Sequence, residues 1–132
     1  MPQRFRFTKA ERLKSRKQID HLFAKGKAVS APPVRAIYLF TPAESGSLQA
    51  GVTASKKAFK KAVDRNRVKR LLREAYRLQK QTLTEQVKAT GKAGAIFFIY
   101  IDKTIADFDT IQTAMGKCLD RLGKIIQREE PS

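Results

Sequence analysis

The sequence predicts an α+β domain, a two-layer sandwich with helices packed on a small mixed sheet. Three observations carry this. Two segments with apolar residues at helical spacing flank a stretch rich in β-branched and aromatic residues. A continuous apolar run of strand length follows them, and a third amphipathic segment closes the chain. At 132 residues there is length for one core and not for two.

The elements follow in order. Ser15-Arg16-Lys17-Gln18 reads as a capping box, Ile19, Leu22 and Phe23 form a short apolar stripe, and Gly26 is a natural helix stop. Pro32-Pro33 forbids helix. Val34 to Phe40 reads as a strand, ended by Pro42 and the turn-forming Glu44-Ser45-Gly46-Ser47; Leu48 to Ser55 alternates weakly and is expected to be its hairpin partner. A strand at Lys27 to Val29 has no pattern to argue it. Val68, Leu71, Leu72, Ala75 and Tyr76 make one clean helical face, with Asn66, Arg70, Arg73 and Arg77 projecting opposite. Gly91 and Gly94 are expected to bracket a loop. Ala95 to Ile101 suits a buried central strand. Asp109-x-x-Gln112 is expected to cap a last helix whose stripe is Ile111, Met115, Cys118, Leu119, Leu122, Ile125 and Ile126.

Charge narrows the function. The chain carries 28 Lys and Arg against 12 Asp and Glu, a formal net charge of +16. Residues 1–27 hold nine basic and two acidic side chains, residues 56–80 hold eleven and two, and the other segments balance. Clustered like charge costs folding energy by self-repulsion, so an anionic partner explains it better than solubility does. One His and one Cys exclude an internal disulfide, a Cys-type zinc site and a His-pair metal site. No apolar stretch reaches the roughly 20 residues of a membrane span, and the basic start lacks the apolar segment of a secretory signal. The expected setting is cytoplasmic.

No catalytic constellation is visible. His21 lies on the helix side away from the apolar stripe, and Cys118 sits within one. Asp102, Asp107 and Asp109 suit helix capping with less assumption than a metal. Binding residues are plentiful: seven of the fourteen residues from Lys60 to Arg73 are Lys or Arg, on a helix that presents guanidinium forks to phosphates. Phe23 and Tyr38 fit either base stacking or the core.

Arg65-Asn66-Arg67 followed by Val68-Lys69-Arg70 resembles the RNR motif of the bacterial ribonuclease P protein component. The likeness extends through Ala62-Val63, Leu71-Leu72-Arg73-Glu74 and Ser55-Lys56-Lys57, and through Arg12-Leu13-Lys14-Ser15 leading to Leu22-Phe23-x-x-Gly26. It implies an α-β-β-β-α-β-α two-layer sandwich with a left-handed βαβ crossover, an exception to the right-handed rule. It further implies the protein subunit of a ribonucleoprotein endonuclease that removes the 5′ leader of precursor tRNA. Its partners would be a catalytic RNA subunit, expected 1:1, and the leader, with no membrane or DNA. No cofactor would be bound by the protein alone, and Mg2+ would sit at the RNA active site. By resemblance, Arg65, Asn66, Arg67, Lys69, Arg70 and Arg73 are RNA-subunit contacts, while Ile19, Phe23, Tyr38, Lys56 and Lys57 are leader contacts. Residues 1–132 are then a single RNA-binding domain, with flexible ends expected at 1–11 and 128–132. Two departures stand out: Ala58-Phe59-Lys60-Lys61 has no Gly and two additional cations, and Ile19 is aliphatic where relatives often carry an aromatic.

A ribosomal or other structural RNA-binding protein has the same composition, and the RNR block with its matching first helix discriminates against it. A helix-turn-helix DNA binder needs a helix where Leu48 to Ser55 reads as strand.

Overall fold

A computed structural model describes residues 11–42 and 47–128. Its elements are α1 (Arg16–Lys25), β1 (Lys27–Ala31), β2 (Val34–Pro42), β3 (Leu48–Ala54), α2 (Ala62–Gln79), α3 (Gln81–Thr90), β4 (Lys92–Tyr100) and α4 (Phe108–Arg128). The α+β class holds: four helices and a four-stranded mixed sheet. The expected flexible ends lie outside the described residues except for Glu11, which pairs with Lys80, and Arg128, the last residue of α4. The turn expected at Glu44–Ser47 likewise lies outside them apart from Ser47.

Local signals account for the helix ends. The Ser15 hydroxyl accepts the Gln18 amide at 3.4 Å, and the Gly26 amide closes α1 on the Leu22 carbonyl at 2.7 Å. At the start of α4 the cap is Asp107 rather than Asp109: its Oδ1 accepts the Thr110 amide at 2.9 Å, and hydrogen bonds from the Thr110 side chain and amide hold the carboxyl below its ordinary pKa. Helix α3 has no counterpart among the expected elements. Leu83 and Val87, four apart and both buried, are the signal that makes it, and Gly91 ends it in the left-handed region at φ +69°. Gly94, expected beside Gly91 in a loop, lies inside β4.

The sheet order is β1-β2-β4-β3. β2 pairs antiparallel with β1 and with β4, whereas β3 pairs parallel with β4. This corrects the hairpin expected between β2 and β3. The strand with apolar residues on both faces takes the doubly paired centre, where burial rewards it most, and the weakly alternating β3 goes to an edge. The hairpin is instead β1–β2, with Ala31 opposite Val34 across Pro32-Pro33, whose peptide bond is cis.

Side chains alternate between two sheet faces. Val34, Ala36, Ile96, Phe98, Tyr100, Leu48 and Ala50 meet Val68, Leu72 and Tyr76 of α2, Leu83 and Val87 of α3, and the α4 stripe from Ile111 to Ile126. Cys118 lies in that stripe, and burial pushes its thiol pKa up to about 11. The opposite face carries Ile37, Leu39, Gly51 and Phe97 under α1, which rests on it through Leu22. Gly51 is required there by close approach. A Cβ on it would stand 2.5 Å and 2.7 Å from two atoms of the Phe97 ring and 3.3 Å from the Leu13 carbonyl oxygen.

Gly51→Ala should therefore destabilise the chain by about 1–3 kcal/mol, the range for overpacking a close contact. Urea denaturation measures it, and unchanged stability would mean the ring can shift freely.

Candidate nucleic-acid interface

Helix α2 displays the RNR block. Val68, Leu72, Ala75 and Tyr76 bury one side, leaving Asn66, Arg67, Arg70 and Arg73 exposed and Arg65 and Lys69 half-buried. At about 100° per residue the cations divide into two rows. Asn66, Lys69 and Arg73 lean toward the side on which Lys80 meets Glu11; Arg70 points directly away from the buried stripe, with Arg67 beyond it on the other side. Arg77 is engaged by Glu74 at 2.6 Å, an ion pair that lowers the Glu74 pKa.

Arg65 has a structural task. Its Nη1 donates to the carbonyls of Phe59 and Lys60 at 2.8 Å and 2.9 Å, fastening the connection between β3 and α2. That connection turns tightly after β3. Ser55 Oγ accepts the Lys57 amide at 3.0 Å, and Phe59 is buried against Tyr100 with ring centroids 5.8 Å apart. Phe59 thus anchors the segment from Ala58 to Lys61. Lys56, Lys57, Lys60 and Lys61 are left exposed around it.

The second surface is the cleft between α1 and the sheet. Phe23 is 46% exposed and stands edge-on to Phe97, with centroids 5.4 Å apart and planes at 76°. Ile19 is half-buried and lines an opening of about 350 Å³ with Arg12, Leu13, Lys14, Ala50, Gly51, Val52, Arg73 and Phe97. Two expected residues are thus brought together there, Ile19 and Arg73, the latter from the other expected group. Lys56 and Lys57 are not part of that lining.

Tyr38 is buried. It is 6% exposed, tilted against Phe40, and belongs to the core under α2–α4, on the opposite face from α1. Strand alternation puts its neighbour Ile37 on the α1 side. Phe97, absent from the expected leader contacts, is hidden in AIFFIYI, where no period separates it from buried Phe98.

Nothing among the described residues assembles three His, Cys, Asp or Glu side chains that could hold a metal ion. Asp102 accepts the Lys103 amide, Asp107 caps α4, and His21 is exposed on α1. No described helix is long and apolar enough to cross a membrane.

A family model described as Ribonuclease P matches residues 7–123. The chain belongs to that family. It is 38% identical over 122 residues to the ribonuclease P protein component of Porphyromonas gingivalis, covering 92% of this chain and 89% of the relative. It is 41% identical over 73 residues to that of Legionella pneumophila, covering 55% and 62%. The RNase P protein of Thermotoga maritima superposes with a TM-score of 0.64 at 25% identity over 84% of this chain and 96% of that one. The Staphylococcus aureus protein shares the fold, with a TM-score of 0.61 at 21% identity over 86% and 96%. Membership makes the chain the protein component of an endoribonuclease, a tRNA-processing ribonucleoprotein, and implies association with ribonuclease P RNA.

Because Arg65 fastens the β3–α2 connection, Arg65→Ala should speed amide hydrogen exchange at Phe59 while leaving β4 amides unchanged. Equal protection of Phe59 in both proteins would free Arg65 from that role.

Proposed function

We propose that the chain binds the catalytic RNA subunit of ribonuclease P, one to one, through the exposed row of α2. The single-stranded 5′ leader of precursor tRNA lies in the cleft beneath α1. The observation that carries this reading is the pairing of an exposed cationic helix row with a separate cleft that offers both aromatic surface and cations.

Phosphate is held by Arg67 and Arg70, whose guanidinium groups take two oxygens each, with Asn66 and Lys69 on the adjoining row. Neutralising phosphates releases condensed counterions, so assembly weakens as salt rises. In the cleft, an unpaired base finds the exposed part of Phe23, and aromatic stacking tolerates any base. Lys56 and Lys57, at the end of β3, add positive potential along the leader. Tyr38 is left out because it lies in the core. Mg2+ supplies the hydrolytic chemistry at sites of the RNA subunit. The described protein side chains do not gather a set of ligands for it. The protein's part is to hold substrate and RNA in register, in the cytoplasm where precursor tRNA is made.

Reconstitution tests this directly. The chain alone should cleave no precursor tRNA, and with its RNA subunit it should stimulate cleavage at low Mg2+. Absence of stimulation at every Mg2+ concentration would favour a purely structural RNA-binding role. Two substitutions separate the surfaces. Arg67→Ala should weaken assembly with the RNA subunit by about 1–3 kcal/mol, seen in filter binding; unchanged affinity and salt slope would remove α2 from that interface. Phe23→Ala should weaken leader-bearing substrate by about 1 kcal/mol or more, the lower end for one stacked base, and spare mature tRNA; equal loss for both would reduce Phe23 to packing.

A further inference from the structure

Four of the seven residues from Ser55 to Lys61, the connection between β3 and α2, are lysines, and all four are exposed. On a slack loop their ammonium groups would move apart under their own repulsion. This connection is fastened along its length. The Phe59 amide donates to the Ser55 carbonyl at 3.0 Å, the Lys57 amide donates to Ser55 Oγ at 3.0 Å, and Phe59 is buried against Tyr100. At the far end the Asp64 and Arg65 amides both donate to the Lys61 carbonyl at 3.2 Å. Arg65 completes the fastening, because the two carbonyls that its Nη1 bonds belong to the peptide groups on either side of Lys60. Among the described residues no carboxylate is in an ion pair with any of the four lysines; the acidic residue nearest in sequence, Asp64, stands in the first turn of α2.

We propose that Lys60 and Lys61 form a phosphate-binding prong for the RNA subunit, and that Arg65 is its positioning residue, acting through the Phe59 and Lys60 carbonyls and not through a phosphate of its own. This rests on the reading of α2 above and deepens it: the prong continues the cationic surface of Arg67 and Arg70 past the end of the helix, and Arg65 leaves the set of direct contacts. A lysine holds phosphate as a point charge on a flexible stem, so its aim depends on the backbone that carries it. Fixing that backbone beforehand reduces the freedom lost on binding. Holding like charges at adjacent positions costs energy in the free protein, which a bound phosphodiester offsets. Arg65 itself is half-buried, and with both Nη1 hydrogens engaged its end-on fork of Nη1 and Nη2 is closed to a phosphate. The RNA subunit is the source of the phosphate because the prong adjoins the α2 row, whereas neither lysine lines the openings beneath α1.

The test uses the full chain as Lys60→Ala/Lys61→Ala, as Arg65→Ala, as the triple variant combining them, and as Arg67→Ala for reference. Affinity for the RNA subunit is read across a salt series, and affinity for precursor tRNA is read on the assembled holoenzyme. The lysine variant, altered only at exposed positions, should bind the RNA subunit about three- to tenfold more weakly, with the slope of log affinity against log salt reduced by about 0.9 for each duplex phosphate no longer neutralised. Arg65→Ala should weaken the same affinity, and the triple variant should be no weaker than the lysine variant, because Arg65 acts only through the prong. Losses that multiply in the triple variant would make Arg65 a contact in its own right and overturn its positioning role. Wild-type affinity and slope in the lysine variant, beside a loss in Arg67→Ala, would overturn the prong and leave the reading of α2 standing. Wild-type affinity in Arg67→Ala as well would overturn both. A loss confined to precursor tRNA would assign the lysines to substrate and overturn the proposal.

Discussion

Strand β4 takes hydrogen bonds on both edges, and the arrangement of the cationic surface depends on it. Antiparallel pairing with β2 on one side and parallel pairing with β3 on the other leaves β3 as an edge strand. Parallel neighbours cannot be joined by a tight turn, so the chain must cross over between them, and it does so through α2 and α3. The crossover sets the RNR helix beside the free edge of β3, where the segment before α1 also runs. The two basic segments of the sequence meet there because of that pairing.

The same constraint separates the two faces of the sheet. One face is sealed by α2, α3 and α4 over the main core. The other is covered only in part by the ten-residue α1, which leaves aromatic surface accessible at Phe23 and Phe97. A cleft with an apolar floor therefore remains open beside a row of guanidinium groups. Binding at such a place needs no rearrangement of the core, and the rigid strand and helix supports hold its side chains in position. The Glu11–Lys80 pair adds to this by fixing the start of the segment that delivers Arg12 and Lys14.

Much of this is legible in the sequence where the signal is local. The Ser15 cap, the stripe from Val68 to Tyr76 and the α4 stripe each repeat at the helical period, and each forms the helix expected of it. Strand partners are not legible, because pairing is decided by burial elsewhere in the chain; β3 follows β2 in sequence and joins β4 in space. Helix α3 escapes a reading by period because two apolar residues, Leu83 and Val87, make a thin stripe amid polar neighbours. Which sheet face a strand residue takes is not legible where alternation decides it. Tyr38 and Ile37 differ by one position and lie on opposite faces, and Phe97 and Phe98 do the same in a run with no polar residue to mark its phase. The net charge of +16 points to a polyanion. Only the fold reveals that part of each basic segment shares one opening.

Site-directed cross-linking tests the central claim, that the cleft holds the substrate's leader while the outer row of α2 holds the RNA subunit. Cys118 is the only native cysteine, and it is buried with its thiol pKa raised to about 11, so an introduced exposed thiol can be labelled selectively. A photoreactive group on Lys14→Cys, an exposed position at the mouth of the cleft, should cross-link to leader nucleotides of precursor tRNA in the holoenzyme. The same group on Arg70→Cys should cross-link to the RNA subunit. Cross-links from position 14 to the RNA subunit, with none to the leader, would contradict the account.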